Sequence, residues 1–481
     1  MLTYSFQNMG KDSLYEYLYK CIRNDILEGR IRPGEKLPSK RSFARNLGVS
    51  VVTVESAYAQ LAAEGYIDSR PRSGYYAAHI SQELLTPSGA GPREPGPAPT
   101  RRELPERAKG EEAAEEKTEI DLVSGSTDPA QFPFTIWARL MRTVLADRRR
   151  ELMARAPGGG VPALRQAIAD YLRQYQGMDI GWEQVIVGAG TEYLYSLLIQ
   201  LLGRDRVYAL EDPGYGKTAR VYESHGVETV YIPMDQAGVQ TDRLRESEAA
   251  VMHISPSHHF PTGVTTSISR RYELLAWAGE RPERCIIEDD YDCEFRLAGR
   301  PIPSLQSIDR QGRVIYMNTF TRSLTPTIRI SYMVLPKRLG EEFQRKLGFY
   351  SCTVPNFEQY TLAEFIRRGY FEKQINRMRN YYRARRDELL DALGKSPMGE
   401  QVSIEGADAG LHFLMRVKTD RTDGELTARA AGQGVKLSCL SQYCHGTVPD
   451  RSVRGQVIVN YPGLTPGRAD ETVRRLERAW L

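Results

Sequence analysis

A stretch without a single aromatic residue, from just after Tyr76 to just before Phe132, constrains this chain more than any other feature. Within it, residues 86 to 105 hold six of the 27 prolines, and a charged run from Glu106 to Glu119 follows. Such a segment cannot bury enough apolar surface to offset the entropy of ordering it, so residues 79–119 read as a flexible linker. The alternative is one long surface loop inside a single domain, which fits poorly with the short connections of compact domains. A flexible coil of this length spans ~35–40 Å on average. The expected organisation is a unit over residues 1–78, the linker, and a larger region beginning near Ile120.

The chain of 481 residues is long enough for several domains, and 41% hydrophobic with 26% charged residues is a globular balance. A net charge of only +4 means that any contact with nucleic acid must rest on local patches. The six cysteines form no C-x-x-C pair and suit a reducing compartment. The polar stretch Met1 to Lys11 lacks the apolar core of a signal peptide. The most apolar run, Tyr193 to Leu202, is short and carries Gln200. A cytoplasmic protein with no membrane partner is expected.

In the first unit, Leu14, Leu18, Ile22, Ile26 and Leu27 recur at helical spacing and are stopped by Gly29. Ser39 can cap a second helix, Lys40 to Leu47. After the Gly48-Val49 turn, Ser50 can cap a third, running to Glu64. The run Tyr66 to Tyr76 reads as a hairpin with a basic tip, which completes a winged helix. The third helix would present Ser50 and Thr53 to the major groove, with Val51 and Val52 between them. Lys40, Arg41 and Arg45 would flank phosphates, while Arg70, Arg72 and Gly74 form the wing that reaches backbone or minor groove. The same pattern also suits a helical protein-interaction module.

Beyond the linker, short apolar runs flanked by Gly, Pro or Asp alternate with helical stretches. Val185–Val187, Val207–Leu210, Thr229–Ile232, Val251–Ile254, Cys285–Ile287, Val314–Met317 and Ile330–Leu335 read as strands. This pattern predicts a mainly parallel, doubly wound α/β sheet over 120–338 and a smaller α+β lobe over 339–481. Gly188-Ala189-Gly190-Thr191 follows a strand and opens a helix, where amides and the helix dipole suit a phosphate. Glu211-Asp212-Pro213-Gly214-Tyr215 presents an aromatic face, and Ser255 to Gly263 leaves another strand. Glu288-Asp289-Asp290-Tyr291 places carboxylates at a strand's C-terminal end, suited to a pyridinium nitrogen. No Cys or His spacing supports a metal, and none is expected.

"GRIRPGEKLPSKRSFARNLGVS" followed by "AEGYIDSRPRSGYY" resembles the GntR-family DNA-binding domain, except that Val51 and Val52 stand where that family usually has Arg or a polar residue. The later motifs, in their order, resemble a fold-type I aminotransferase dependent on pyridoxal phosphate. The whole chain therefore resembles a MocR/GabR-type transcriptional regulator. The resemblance implies that Tyr215 stacks on the cofactor ring, Asp289 holds its nitrogen and Tyr291 bonds its phenolic oxygen. Gly190 and Thr191 would hold the phosphate, with Arg329 of "TPTIRISY" nearby.

One departure decides the chemistry. The strand "VIYMNTF" should lead into a serine-lysine run whose lysine bonds the cofactor, but the position holds Arg322, and no lysine lies between Lys217 and Lys337. A guanidinium stays protonated and cannot form that link. Gln442 in "SCLSQYC" likewise stands where a carboxylate-binding arginine is expected, and His259 blurs the family's asparagine contact to the ring. The expectation is a homodimeric DNA-binding regulator, not an enzyme, that senses pyridoxal phosphate, a small amino compound, or both, without covalent attachment. The alternatives are an active aminotransferase with a DNA-binding head, and a dimerisation scaffold that has lost the cofactor.

Overall fold

The computed structural model describes residues 4, 13–63, 66–70, 73–78, 120–125, 128–297, 303–407, 410–445 and 453–481. Contacts divide the chain into two units, Met1–Arg107 and Ala108–Leu481. The expected linker 79–119 and Arg72 lie outside the described residues.

In the first unit, α1 spans Leu14–Leu27, α2 Lys40–Leu47 and α3 Val51–Ala63. The ends of α2 follow from local chemistry. Ser39 accepts from the Ser42 amide at its start, and Gly48 closes it in the left-handed region at φ 68°, where a side chain would be strained. Leu18, Ile22, Phe43, Val54, Tyr58 and Leu61 pack the three helices together, each worth about 1.5–3 kcal/mol of burial. The antiparallel hairpin of β1 (Ile67–Arg70) and β2 (Gly74–Ala77) completes a winged helix.

The second unit opens with β3 (Ile120–Asp121). Its large sheet comprises β4 (Val185–Gly188), β5 (Tyr208–Asp212), β6 (Thr229–Asp235), β7 (Gly238–Val239), β8 (Val251–Ile254), β9 (Cys285–Asp289), β10 (Val314–Thr319) and β11 (Ser331–Val334). Their order is β4-β11-β10-β9-β8-β5-β6-β7. The strands from β10 through β9, β8 and β5 to β6 pair in parallel, and β11 is antiparallel to both its neighbours. The eleven residues from Phe320 to Ile330, between β10 and β11, are too few for a helical crossover. The strands read as near-continuous apolar runs because helices cover both faces.

The smaller lobe holds β12 (Val402–Glu405), β13 (His412–Val417), β14 (Val435–Lys436), β15 (Ser438–Cys439) and β16 (Gln456–Asn460), flanked by the long helix Tyr370–Lys395 and the terminal helix Ala469–Trp480. One assignment differs from the expected division. Ile120 and Leu122 join the smaller lobe's core rather than the large one's, because β3 pairs in parallel with β14. Backbone bonds from the Ile120 amide to Gly434 and from the Leu122 amide to Lys436 fix this register.

Candidate functional site

The six like-directed strands of the large sheet end at one edge, where a cavity of about 460 Å³ lies between the lobes. Gly190, Thr191, Tyr215, Asp289, Tyr291, Arg322 and Arg329 all line it, so the seven cofactor candidates converge on one space. The smaller lobe closes it with Tyr443 and Asn460, and Val123 and Ser124 join from the segment after β3.

Asp289 ends β9. Its Oδ2 accepts from the Tyr195 hydroxyl at 2.5 Å and lies 3.6 Å from Nε2 of His253. Its Oδ1 is buried and has no hydrogen-bond partner among the described residues. Burial, then the Asp289 charge, push the Tyr195 phenol well above its ordinary range, so it stays a donor. His253 is itself held by Tyr222 at 2.7 Å. The carboxylate is thus fixed through one oxygen while the other keeps its acceptor capacity free, a chemistry that suits a ring N–H. Tyr215 is exposed, and its ring meets Phe260 edge-on at 5.8 Å and 88°. Tyr291 contacts Nδ1 of His258 at 3.3 Å.

The opposite chemistry gathers at the start of the helix Thr191–Leu202. Gly190 adopts φ 93°, which strains any other residue, and a Cβ there would lie 2.5 Å from Nη2 of Arg329 and push that guanidinium aside. Arg329 has φ 50°, the one non-glycine residue with positive φ among the described residues, a conformation that costs roughly 1–2 kcal/mol. Of the glycine-turn amides, Ala189 already donates to Thr353 and Gly190 to Gly188. The candidate cradle therefore rests on the helix start and on Arg329 rather than on every amide of the turn.

Arg322 occupies the loop after β10. Thr319, Thr321 and Ser331 bond one another at 2.7 and 2.9 Å and pin that loop. Nη1 of Arg322 donates to the Gly125 carbonyl at 2.6 Å, and Tyr382 donates to the Arg322 carbonyl at 3.3 Å. Gln442 is exposed and its side chain accepts from the Cys439 amide, outside the cavity lining. His259 does not line the cavity either. It is buried behind Glu211, 3.3 Å from Oε2. Burial raises Glu211 to about 8 and lowers His259 to about 3, so both are neutral at neutral pH. Glu211 lines the cavity, with Oε1 lacking a described partner.

Sequence reasoning missed Tyr195, His253, Glu211 and Glu192. Tyr195 carried a signal: it lies four residues after Thr191, hence on the same helix face. His258, Asp292 and His412 also form a buried group whose ligand atoms lie within 4.8 Å of one another. His258 and Asp292 are hydrogen-bonded there at 2.9 Å.

In the first unit, Ser50 caps α3 by accepting from the Thr53 amide at 3.1 Å, and its hydroxyl meets that of Thr53 at 2.8 Å. Val51 and Val52 are exposed at that end. Lys40 bonds Glu55 at 2.7 Å, Arg41 is exposed, and Arg70 lies 4.4 Å over the Tyr76 ring. Gly74 stands at φ 111° beside Lys36.

Residues 14–76 match the bacterial regulatory proteins of the gntR family. The chain is 39% identical over 467 residues to an uncharacterized HTH-type transcriptional regulator, YdeL of Bacillus subtilis, covering 97% of this chain and 96% of that one. It is 32% identical to the probable rhizopine catabolism regulatory protein MocR of Rhizobium meliloti, covering 97% and 94%. The chain belongs to the MocR-type transcriptional regulators. Like other members, it joins a GntR winged helix to an aminotransferase-like fold. A kynurenine aminotransferase of Pyrococcus horikoshii superposes with a TM-score of 0.67 at 24% identity, covering 76% of this chain and 92% of that one, a likeness of fold. No described helix is long and apolar enough to cross a membrane.

Proposed function

We propose that this MocR-type regulator binds pyridoxal phosphate non-covalently between its lobes and responds there to a small amino compound, without performing transamination. What supports this reading is that Arg322, which we take to stand where the family's lysine would, lines the same cavity as polar groups suited to the cofactor. The Oδ1 of Asp289 lacks a described partner and would accept from the ring nitrogen. Tyr215 would cover the ring and Tyr291 would bond its phenolic oxygen. Gly190, Thr191 and Arg329 would hold the phosphate.

When bound, the cofactor supplies an aldehyde that captures primary amines and a ring that withdraws electrons. Arg322 stays protonated, so it donates hydrogen bonds and forms no covalent link. Its bond to Gly125 anchors one side of the guanidinium, and its remaining N–H groups suit an oxygen of the cofactor or a carboxylate of the effector. With no lysine at position 322 to compete, the aldehyde would be left for an amine arriving from solvent. The smaller lobe's Tyr443 and Asn460 would meet that compound from the opposite wall.

In the first unit, Lys40, Arg41 and Arg70 would meet phosphates, together with Arg72. Ser50 and Thr53 at the head of α3, and Gly74 at the wing, would set the approach to the grooves. One winged helix contacts few base pairs, so we take the working form to be a homodimer on a two-part operator. A monomer at micromolar concentration by sedimentation, bound to DNA one to one, would contradict this.

The test mixes the full-length protein with pyridoxal phosphate, adds borohydride and measures what stays attached after denaturation. Saturable binding with no retained cofactor is expected. A retained adduct would favour an active aminotransferase, and no binding would favour a scaffold that has lost the cofactor.

A further inference from the structure

The phosphate end of the cavity contains an anion of the chain's own. Glu192, the second residue of the helix Thr191–Leu202, lines the cavity and places Oε2 2.8 Å from Nη2 of Arg329. Its other oxygen, Oε1, pairs with Lys217. A Cβ built on Gly190 would lie 2.5 Å from the Arg329 guanidinium and 3.1 Å from Oε2 of Glu192. This ion pair therefore sits directly over the turn that opens the helix. Burial raises the Glu192 carboxyl, but Lys217, Arg329 and its own backbone N–H together hold it down to about 2. It is charged at every physiological pH, and it already uses the donors that an incoming phosphate would need.

We propose that Glu192 is a built-in competitor for the phosphate group, and that Lys217 is a second phosphate-binding cation released with Arg329 when the ligand displaces it. The inference rests on reading this cavity as a pyridoxal phosphate site. Lys217 lies two residues after Tyr215, so the segment that offers the ring face also offers this cation. A phosphate dianion carries more charge and more acceptor oxygens than one carboxylate, so it can take over both cations and the helix start. A ligand with a weaker anion at that position cannot displace Glu192 as readily. The device thus sets a threshold: phosphorylated ligands are admitted and their unphosphorylated counterparts gain nothing from the cradle. Arg329 is exposed to 56% and Lys217 to 55% of their side-chain surface, so solvent screens both pairs and the exchange remains reversible.

Equilibrium titrations of the full-length protein with pyridoxal phosphate and with pyridoxal, without added amine, test this. Glu192→Gln should bind pyridoxal phosphate about tenfold more tightly and Lys217→Met about tenfold more weakly, the size expected of one partly screened charge contact. Pyridoxal affinity should not change in either variant. Glu192→Ala, which removes the carboxylate altogether, should move in the same direction as Glu192→Gln, and melting curves would show that each variant is folded. Unchanged or weaker binding of pyridoxal phosphate by both Glu192 variants overturns the proposal and leaves the site reading intact. Equal wild-type affinity for the two compounds also overturns it, since the phosphate then gains nothing from the cradle. If neither compound binds the wild type, the site reading itself fails and the proposal falls with it.

Discussion

The hydroxyl of Tyr195 donates to Oδ2 of Asp289 at 2.5 Å, and Oδ1 of the same carboxylate has no described partner. One oxygen orients the group and the other is left for a ligand. Tyr195→Phe removes the orienting bond without opening a cavity. It should weaken pyridoxal phosphate binding about tenfold, in keeping with the loss of one hydrogen bond to a charged group, and leave DNA binding by the winged helix unchanged. Unaltered cofactor affinity in a titration would rule out a positioning role for Tyr195.

Arg322→Lys should create a covalent cofactor site. The loop is pinned by Thr319, Thr321 and Ser331, so a lysine there starts from a fixed backbone. In a partly desolvated pocket its amine should have a lowered pKa and become nucleophilic. Borohydride treatment with pyridoxal phosphate should label the variant and spare the wild type, as read by mass spectrometry. A folded variant that stays unlabelled would mean that the pocket departs from the family by more than one residue.

Replacing Arg70 and Arg72 together by alanine should weaken DNA binding broadly across sequences and flatten its dependence on log salt by about 1 to 2. Arg70 lies over the Tyr76 ring, which holds the cation on the wing without neutralising it. An unchanged salt slope in the double variant would remove the wing from the interface.

Glu211 should make stability fall as pH rises. Its carboxyl shifts up from 4.5 to about 8 on burial, so the folded chain retains a proton that the unfolded chain releases. Its stabilising share is complete below about 4.5 and lost on the way to about 8. Glu288 and Glu294, raised to about 8 and about 7, act in the same direction. His259 acts oppositely, but only below its ordinary 6.5. Between pH 6.5 and 8, Glu211→Gln should therefore lessen the decline by up to about 1.4 kcal/mol per pH unit. Urea midpoints across that window would measure it, and identical slopes would place an ionised Glu211 in the folded protein.

The first unit was legible nearly residue by residue because local chemistry decides it: Ser39 and Gly48 mark the ends of α2, and Ser50 marks the start of α3. The strands of the large sheet were legible as apolar runs, and the motifs at their ends named seven residues that line one cavity. What escaped notice depends on distant chain segments. Nothing near Glu211 in sequence announces that His259 will lie 3.3 Å away, or that both will be neutral. In sequence Glu192 is one more first-turn acid, favourable at any helix start; only the fold brings Lys217 and Arg329 onto it. The parallel pairing of Ile120 with Val435 joins residues more than 300 positions apart, beyond the reach of periodicity.

That pairing also fixes where the second unit receives the chain arriving from the winged helix. The described chain of this unit begins on the smaller lobe, at a two-residue strand and the Leu122 carbonyl, which accepts from the Asn460 amides. Asn460 in turn lines the cavity. A group that meets Asn460 in the cavity is therefore one hydrogen bond away from the Leu122 carbonyl. The doorway through which the chain enters the second unit and one wall of its pocket thus share a single side chain.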